Sequence, residues 1–222
     1  MKAIKNILSI CSVALLLGSC QADLLETKPY GNVAAGNMWT SENFADKGVT
    51  AIYSTLRKSY VGLGLYQMDC LGVSTDCRDA DYPIMRNTIT TSNGMFSSYW
   101  SEHYSGISRA NDAIVHLPEV DMPENKKARY MAEAKVLRAY FYYKLNIMYK
   151  GVPVYLEPVE ASECTKGQET EAAVWQVIED DLTAAINEPN LPNIYTEGSS
   201  DYGRVTKGLA YALRGKAYLY QK

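Results

Sequence analysis

Apolar side chains recur at three- and four-residue steps in five stretches of the chain, and this spacing places them on one face of an α-helix. In the first stretch, 42–60, Val49, Ile52 and Leu56 share such a face. The same pattern predicts four further helices, over 98–117, 124–149, 170–187 and 205–222. We therefore expect an all-α fold with little strand.

Two stretches interrupt the helical pattern. Residues 61–97 contain four glycines and a proline, and 88–91 is the part that most favours an extended conformation. Residues 152–159 form a shorter extended stretch with two prolines. Long irregular loops on a helical scaffold often carry binding residues. We therefore look for function in 61–97 first.

The third and fifth helices repeat one order of small, large and aromatic residues. The two copies are Ala134-x-x-Leu137-Arg138-Ala139-x-x-Tyr142 and Ala210-x-x-Leu213-Arg214-Gly215-x-x-Tyr218. Such repetition is typical of tetratricopeptide-like helical hairpins, in which small residues let a neighbouring helix approach. The alternative is chance similarity between two amphipathic helices. Because the last helix ends without a cap or a covering element, we expect the chain to be an incomplete part of a longer stack.

The N-terminus has the anatomy of a bacterial export signal. Two lysines precede an apolar run, 7–17, which is shorter than the ~20 residues that span a membrane. The run leads into Leu17-Gly18-Ser19-Cys20, which resembles a lipobox, the motif whose cysteine takes a diacylglycerol and becomes the mature N-terminus.

This interpretation divides the chain into three parts: a signal peptide over 1–19, a lipidated tether over 20–40 and a helical domain over 41–222. Acyl chains on Cys20 would hold the protein at a membrane without a transmembrane helix. The alternative is an ordinary secretory signal in which Cys20 is incidental. Of the remaining cysteines, Cys70 and Cys77 are close enough in sequence to pair across a loop, and that pairing stays open.

Charge and motifs exclude several function classes. The net charge of -3 comes without a basic cluster, so we expect no nucleic-acid partner. No metalloprotease, serine-hydrolase or phosphate-loop motif occurs, and we expect neither an enzyme nor a cofactor. Asp180 and Asp181 are interpreted as the solvated edge of the fourth helix. The two histidines, His103 and His116, are expected to pack or to lie at the surface.

Several short stretches along the chain carry a recognisable signature. They are Leu24-Leu25-Glu26-Thr27-Lys28-Pro29, Asn37-Met38-Trp39-Thr40, Tyr99-Trp100-Ser101, Gly106-Ile107-Ser108-Arg109-Ala110-Asn111, 132–140, Tyr149-Lys150-Gly151-Val152-Pro153, Ile178-Glu179-Asp180-Asp181-Leu182 and 203–208. Together and in this order they resemble the SusD/RagB family of outer-membrane nutrient-binding lipoproteins. Trp39 and Trp100 resemble scaffold positions of the family, so both are expected to be packing residues.

The resemblance implies a scaffold of tetratricopeptide-like hairpins whose irregular loops carry the ligand surface. It also implies that the lipoprotein faces the cell exterior at the outer membrane. There it would cap a SusC-like TonB-dependent transporter and pass captured oligosaccharide or polysaccharide into it. Family members are usually much longer, and the absent C-terminal half supplies much of their ligand surface.

The densest cluster of sugar-binding residue types lies in the stretch 61–97. Sugar C–H faces stack on aromatic rings, while carboxylates, amides and guanidinium groups bind hydroxyls. The candidate ligand residues are Tyr66, Asp69, Asp76, Arg78, Asp79, Asp81, Tyr82, Arg86 and Asn87. The alternatives for this stretch are a solvated loop or a contact with the transporter. The alternating aspartates could hold Ca²⁺, but the rest of a recognised calcium loop is lacking, so no metal site is predicted.

Two other functions stay open beside glycan capture. One is an adaptor lipoprotein of tetratricopeptide type that binds protein partners and no sugar. The other is a surface glycosidase, which needs two carboxylates about 5–10 Å apart. No pair among the acidic residues is singled out for that role by the sequence.

Overall fold

The computed structural model describes residues 38–63, 69–70, 72 and 88–221. Within these ranges the chain forms five α-helices: α1 Glu42–Thr55, α2 Gly94–His116, α3 Glu124–Tyr149, α4 Glu171–Asn187 and α5 Lys207–Tyr220. Short turns of other helical types cover Ser59–Leu63, Leu117–Glu119 and Ala161–Glu163. No strand occurs in the described ranges, and the all-α prediction is confirmed.

Consecutive helices pack on one another throughout, and α3 contacts all four of the others. This is the stacking of tetratricopeptide-like helical hairpins that the sequence pattern predicts. Several large side chains of α3 are almost completely buried, namely those of Tyr130, Phe141, Tyr142 and Leu145. Because a surface helix buries only one stripe of its side chains, this burial marks α3 as the centre of the core.

Two glycines allow close approaches around α3. A Cβ atom at Gly106 would lie 2.5 Å from the ring of Phe141, so α2 and α3 meet there with no room for a side chain. Gly151 has a φ of 107°, and a Cβ atom at this position would lie 2.3 Å from the carbonyl oxygen of Glu169. Together with the left-handed Lys150, Gly151 ends the long helix where the sequence predicts.

Two helix boundaries differ from the prediction by four residues or more. α2 begins at Gly94 rather than 98, because the side chain of Asn93 accepts a hydrogen bond from the backbone N–H of Met95 and so caps an earlier start. α1 ends at Thr55 rather than 60. The chain then tightens into the turn Ser59–Leu63, where Gly62 lies against the carbonyl group of Leu56.

The two copies of the repeated pattern are packed to different extents. All the small, large and aromatic positions of the α3 copy are buried. In the α5 copy Ala210 and Leu213 are buried, whereas Gly215 and Tyr218 are exposed. A Cβ atom at Gly215 would meet no other atom of the described residues within 4 Å, apart from its chain neighbours and the backbone of its own helix turn. One side of α5 is therefore packed as in α3 and the other faces solvent.

The interpretation of Asp181 as a solvated residue is wrong. Asp180 is exposed, but Asp181 is buried and forms a two-bond ion pair with Arg138 of α3. Both of its carboxylate oxygens accept hydrogen bonds of 2.7 Å, from Nε and from Nη2 of the guanidinium group. Adjacent residues on an amphipathic helix fall on different faces, and here the turn of the helix carries the second aspartate inward.

Candidate functional site

The predicted ligand residues fall almost entirely outside the described part of the chain. Asp69 is described, and it is exposed. The others are Tyr66, Asp76, Arg78, Asp79, Asp81, Tyr82, Arg86 and Asn87; like Cys20 and Cys77, they lie outside the described residues. Their role in ligand binding, the lipidation of Cys20 and the pairing of Cys70 with Cys77 therefore stay predictions.

The two ends of the stretch 61–97 are fixed to the helical scaffold. At the first end, the backbone N–H of Tyr60 donates to the carboxylate of Glu102 on α2 at 2.7 Å. At the second end, the hydroxyl of Tyr149 on α3 donates to the carbonyl of Phe96 at 2.9 Å. A small apolar cluster joins both ends, with Cys70 and Met95 at its centre and Tyr60, Ile89 and Phe96 around them. The scaffold thus holds the entry and the exit of the predicted ligand loop.

A concave surface that the sequence does not predict lies between α2 and the extended segment after α3. We call it the aromatic groove. It has a volume of about 710 Å³ and is lined by Trp100, Ser101, Tyr104, Ile107, Ser108, Asn111, Pro153, Tyr155, Glu157, Val159, Cys164 and Lys166. Its volume falls within the range of about 300–1,000 Å³ that is usual for small-molecule sites.

The aromatic rings of the groove hold one another in place. The ring of Trp100 lies 4.9 Å from that of Tyr104 and meets the ring of Tyr149 edge-on at 5.0 Å. The rings of Tyr104 and Tyr155 meet edge-on at 6.3 Å. The Tyr104 hydroxyl donates to the carbonyl of Pro153 at 2.6 Å, and burial raises the pKa of this phenol. The groove therefore presents fixed, uncharged rings.

The second side of the groove is the segment 152–159, which we call the wall segment. It is extended, as the sequence predicts, but it pairs with no strand in the described ranges. Each carbonyl oxygen from 152 to 157 instead accepts a hydrogen bond from elsewhere in the fold. The carbonyl of Val152 accepts from the Glu169 N–H, that of Pro153 from the Tyr104 hydroxyl, and that of Val154 from Lys166 Nζ. The carbonyl of Tyr155 accepts from both Asn111 Nδ2 and the Tyr142 hydroxyl. Those of Leu156 and Glu157 accept from Arg138 Nη1 and Asn111 Nδ2, respectively.

Buried polar side chains connect the wall segment to three helices. The guanidinium group of Arg138 is held by Asp181 of α4 and also donates to Asn111 Oδ1 of α2 at 2.8 Å. The Tyr142 hydroxyl both donates to the carbonyl of Tyr155 and accepts from its N–H, each at 2.8 Å. Burial raises the pKa of Tyr142, so its hydroxyl keeps the proton that this donation needs. The backbone of the wall segment is consequently fixed by core residues rather than by a sheet.

The rim of the groove is polar. Ser101, Ser108, Glu157 and Lys166 are exposed at its edge. The ammonium group of Lys166 lies 5.2 Å from the centre of the Tyr155 ring and donates to the carbonyl of Val154 at 3.0 Å. The rim thus offers hydroxyl, carboxylate and ammonium groups around an apolar floor.

A second cluster of charged residues joins α1, α3 and the loop before α5. The fully buried carboxylate of Glu133 accepts from the Tyr53 hydroxyl at 2.7 Å and from Arg204 at 3.0 Å. Arg204 also bonds Asp46, whose carboxylate accepts from the Tyr130 hydroxyl. Burial raises the pKa of Glu133, and the adjacent Arg204 opposes that shift. Opposite charges face one another here, so we interpret the cluster as a structural link between these elements.

Among the described residues no group of three or more histidine, cysteine or acidic side chains is placed to hold a metal ion. None of the helices in the described ranges is long and apolar enough to cross a membrane. His103 is fully buried with its Nδ1 2.7 Å from the carbonyl of Tyr99, and His116 lies half-buried beside Trp39. Both histidines therefore have the packing or surface positions that the sequence predicts.

Trp39 is a packing residue as predicted, with its indole N–H donating to Asp112 at 3.0 Å. Trp100 also packs on the core, but the structure additionally places it in the groove. The sequence signal for the groove is the recurrence of Trp100, Tyr104 and Ser108 at four-residue steps along α2. That stripe alone predicts only a packed face, because its partner Tyr155 comes from a distant part of the chain.

Comparison with known proteins finds one matching family and several relatives. A family model, SusD-like, described as "Starch-binding associating with outer membrane", matches residues 23–219. Two curated proteins of Formosa agariphila, SusD-like protein P38 and SusD-like protein P25, are 28% and 23% identical over 99% of the chain. The chain spans 43% and 44% of their lengths, less than half of each.

Solved structures agree with this relationship. One described as "Laminarin binding SusD-like protein" is 36% identical and has a TM-score of 0.71, over 82% of this chain and 41% of that one. Surface glycan-binding protein A from Bacteroides uniformis is 28% identical with a TM-score of 0.71, over 82% and 42%. Both share the helical fold described above.

Proposed function

The chain belongs to the SusD-like family, and we propose that it is a surface lipoprotein that captures glycans at the outer membrane. The observation that carries the proposal is the family match over 23–219, whose description names starch binding and association with the outer membrane. A laminarin-binding relative of known structure, 36% identical, supports the same ligand class. Because this chain spans less than half of its relatives, glycan binding by the chain itself needs a direct test.

The ligand loop is the first surface proposed to contact the glycan. Its candidate residues, Tyr66, Asp69, Asp76, Arg78, Asp79, Asp81, Tyr82, Arg86 and Asn87, combine rings for stacking with groups that bind hydroxyls. The fixed ends of the stretch at Tyr60 and Phe96 support this role.

The proposed location and partner follow from the signal and the family. Lipid on Cys20 would anchor the protein to the cell outer membrane, facing the exterior. A SusC-like TonB-dependent transporter would receive the captured oligosaccharide. The outer-membrane association in the family description supports this arrangement. We propose binding without catalysis, since the family description names binding and no reaction.

Native gels that contain a polysaccharide test the proposed function. We expect the purified full chain to migrate more slowly in gels with laminarin or starch than in a gel without polysaccharide. Laminarin is the first ligand to try because a relative of known structure binds it. An adaptor that binds only proteins would migrate equally in every gel. Release of shorter sugars from the retained polysaccharide would instead indicate a glycosidase.

A further inference from the structure

We propose that the aromatic groove is a second glycan-binding surface, which takes a short neutral segment of the captured chain on residues other than those of the ligand loop. This inference rests on the proposed function and extends it to a new site. Sugar recognition needs flat apolar faces for C–H groups and polar groups at their edges for hydroxyls. The groove has both.

The rings provide the apolar part of such a site. Trp100 and Tyr104 lie on successive turns of α2, and the largely buried Tyr155 of the wall segment meets Tyr104 edge-on. Trp100 is only partly buried, although its ring is fixed by Tyr104 and Tyr149. A ring that is already immobile costs little ordering entropy when a sugar stacks on it.

The rim provides the polar part. The hydroxyls of Ser101 and Ser108 stand on the α2 side, and the carboxylate of Glu157 and the ammonium of Lys166 stand on the opposite side. All four side chains are exposed at the edge of an apolar floor. Hydroxyl groups of a neutral sugar can both donate and accept, so they suit this mixture of donors and acceptors better than a purely apolar ligand would.

The wall segment argues against an extended peptide as the occupant. A peptide that adds to an extended segment relies on free main-chain donors and acceptors. Here every carbonyl from 152 to 157 already accepts a hydrogen bond within the fold. The main-chain acceptors of the segment are thus already engaged, which favours recognition by side chains, through stacking and hydroxyl contacts.

A second depression lies next to the groove. That depression has a volume of about 440 Å³ and shares Tyr155, Glu157, Val159 and Lys166 with the groove. The wall segment thus has accessible space on both sides. A ligand made of several units is long enough to contact both depressions, which fits an oligosaccharide better than a single sugar.

Cys164 gives a direct test, because it is exposed and lines the groove. The full chain is treated with iodoacetamide, with and without laminarihexaose or maltohexaose, and the modification of the peptide that contains Cys164 is followed by mass spectrometry. We expect the hexaose that retards the protein in gels to slow this modification about fivefold to tenfold, as a stacked and saturating ligand would.

A blocking variant and a matched control locate the effect. Ser108→Trp places a large ring in the groove, and Ala184→Trp places the same ring on an exposed position of α4 outside it. We expect Ser108→Trp to abolish the protection of Cys164 and to weaken hexaose binding about fivefold to tenfold, the loss of one stacking contact. Ala184→Trp should behave like the wild type.

The outcomes separate the two proposals. If the wild type binds the hexaose but Cys164 reacts equally fast with and without it, the groove is not a glycan site, and the proposed function stands on the loop. If the wild type binds no polysaccharide at all, the proposed function fails and the groove proposal fails with it. Protection by an unrelated extended peptide, but not by either hexaose, would also overturn the groove proposal.

Discussion

Arg138 uses all three nitrogens of its guanidinium group inside the helical core. Two bond Asp181, and the third bonds Asn111 and the carbonyl of Leu156. A buried arginine with this many partners can hold elements in register, because each lost partner leaves a buried donor unsatisfied and the loss of Asp181 leaves a buried charge unpaired. In this chain the elements are α2, α3, α4 and the wall segment.

Asp181→Asn tests that role. We expect a loss of about 3–5 kcal/mol in the free energy of unfolding, since Arg138 would keep its buried charge without a carboxylate. Urea unfolding measures the change. Asp180→Asn is the matched control, and we expect a change within about 0.5 kcal/mol because this neighbour is exposed. Equal losses in the two variants would contradict the assignment.

His103 makes stability depend on acidity. Burial lowers its pKa from 6.5 to about 4. Between these values the unfolded chain binds a proton that the folded chain does not, so the free energy of unfolding falls as the pH decreases from 6.5 to 4. The contribution amounts to about 3 kcal/mol over that interval. Above pH 6.5 it is fully present and constant.

His103→Gln should therefore flatten the pH dependence of unfolding between pH 6.5 and 4. His116→Gln, at the half-buried histidine beside Trp39, is the control. At each pH, the difference in the free energy of unfolding between the wild type and a variant removes the contribution of the other acids, including the buried Glu133 and Asp181. A wild-type curve that His103→Gln leaves unchanged would show that His103 is protonated equally in both states.

At the scale of elements, the contact between α2 and α3 depends on the absence of one side chain. A methyl group at Gly106 would overlap the ring of Phe141, whereas a methyl group at Gly215 on α5 would meet open space. Both positions are glycines within helices, so alanine at each changes the helix propensity in the same way. A difference between the two variants then reports the effect of packing.

We expect Gly106→Ala to lower the free energy of unfolding by about 1–3 kcal/mol, because α2 and α3 must separate to admit the methyl group. Gly215→Ala should raise it by about 0.5–1 kcal/mol, because alanine favours the helix and meets no neighbour. Thermal unfolding of the two variants beside the wild type measures both the expected decrease and the expected increase in stability. A stabilising Gly106→Ala would contradict the close approach that the structure shows.

The helices could be predicted from the sequence because each carries its own periodicity. Boundaries were less predictable where one side chain decides them, as Asn93 does at the start of α2. The burial of the Asp181 side chain depends on its partner Arg138, which lies 43 residues away in sequence. The local pattern of α4 contains no sign of that partner.

At the scale of the whole molecule, the family and the ligand class could be predicted from motifs spread along the chain, and the family match confirms the family. The aromatic groove could not. Its two sides, α2 and the wall segment, are separated in sequence by the whole of α3 and come together only in the folded chain. Trp100 alone resembles an ordinary packing residue, and only its position opposite Tyr155 suggests a binding role.

The anchor proposal predicts the behaviour of Cys20→Ala. In detergent-phase partitioning the wild type should enter the detergent phase, and the variant should stay in the aqueous phase because it lacks acyl chains. Its helical circular dichroism should be unchanged. Cys164→Ala, at an exposed cysteine of the helical unit, should partition like the wild type. Detergent partitioning that survived Cys20→Ala would contradict lipidation at this residue.

Glycan capture by this chain is the central claim, and calorimetric titration of the full chain with laminarihexaose and maltohexaose tests it most directly. The double variant Arg78→Ala, Tyr82→Ala in the ligand loop is measured beside the wild type. We predict that the wild type binds at least one hexaose, and that the double variant binds it about tenfold or more weakly, since it loses a stacking and a charged contact. No binding heat from the wild type with either sugar, or equal affinities for the two proteins, would contradict the account.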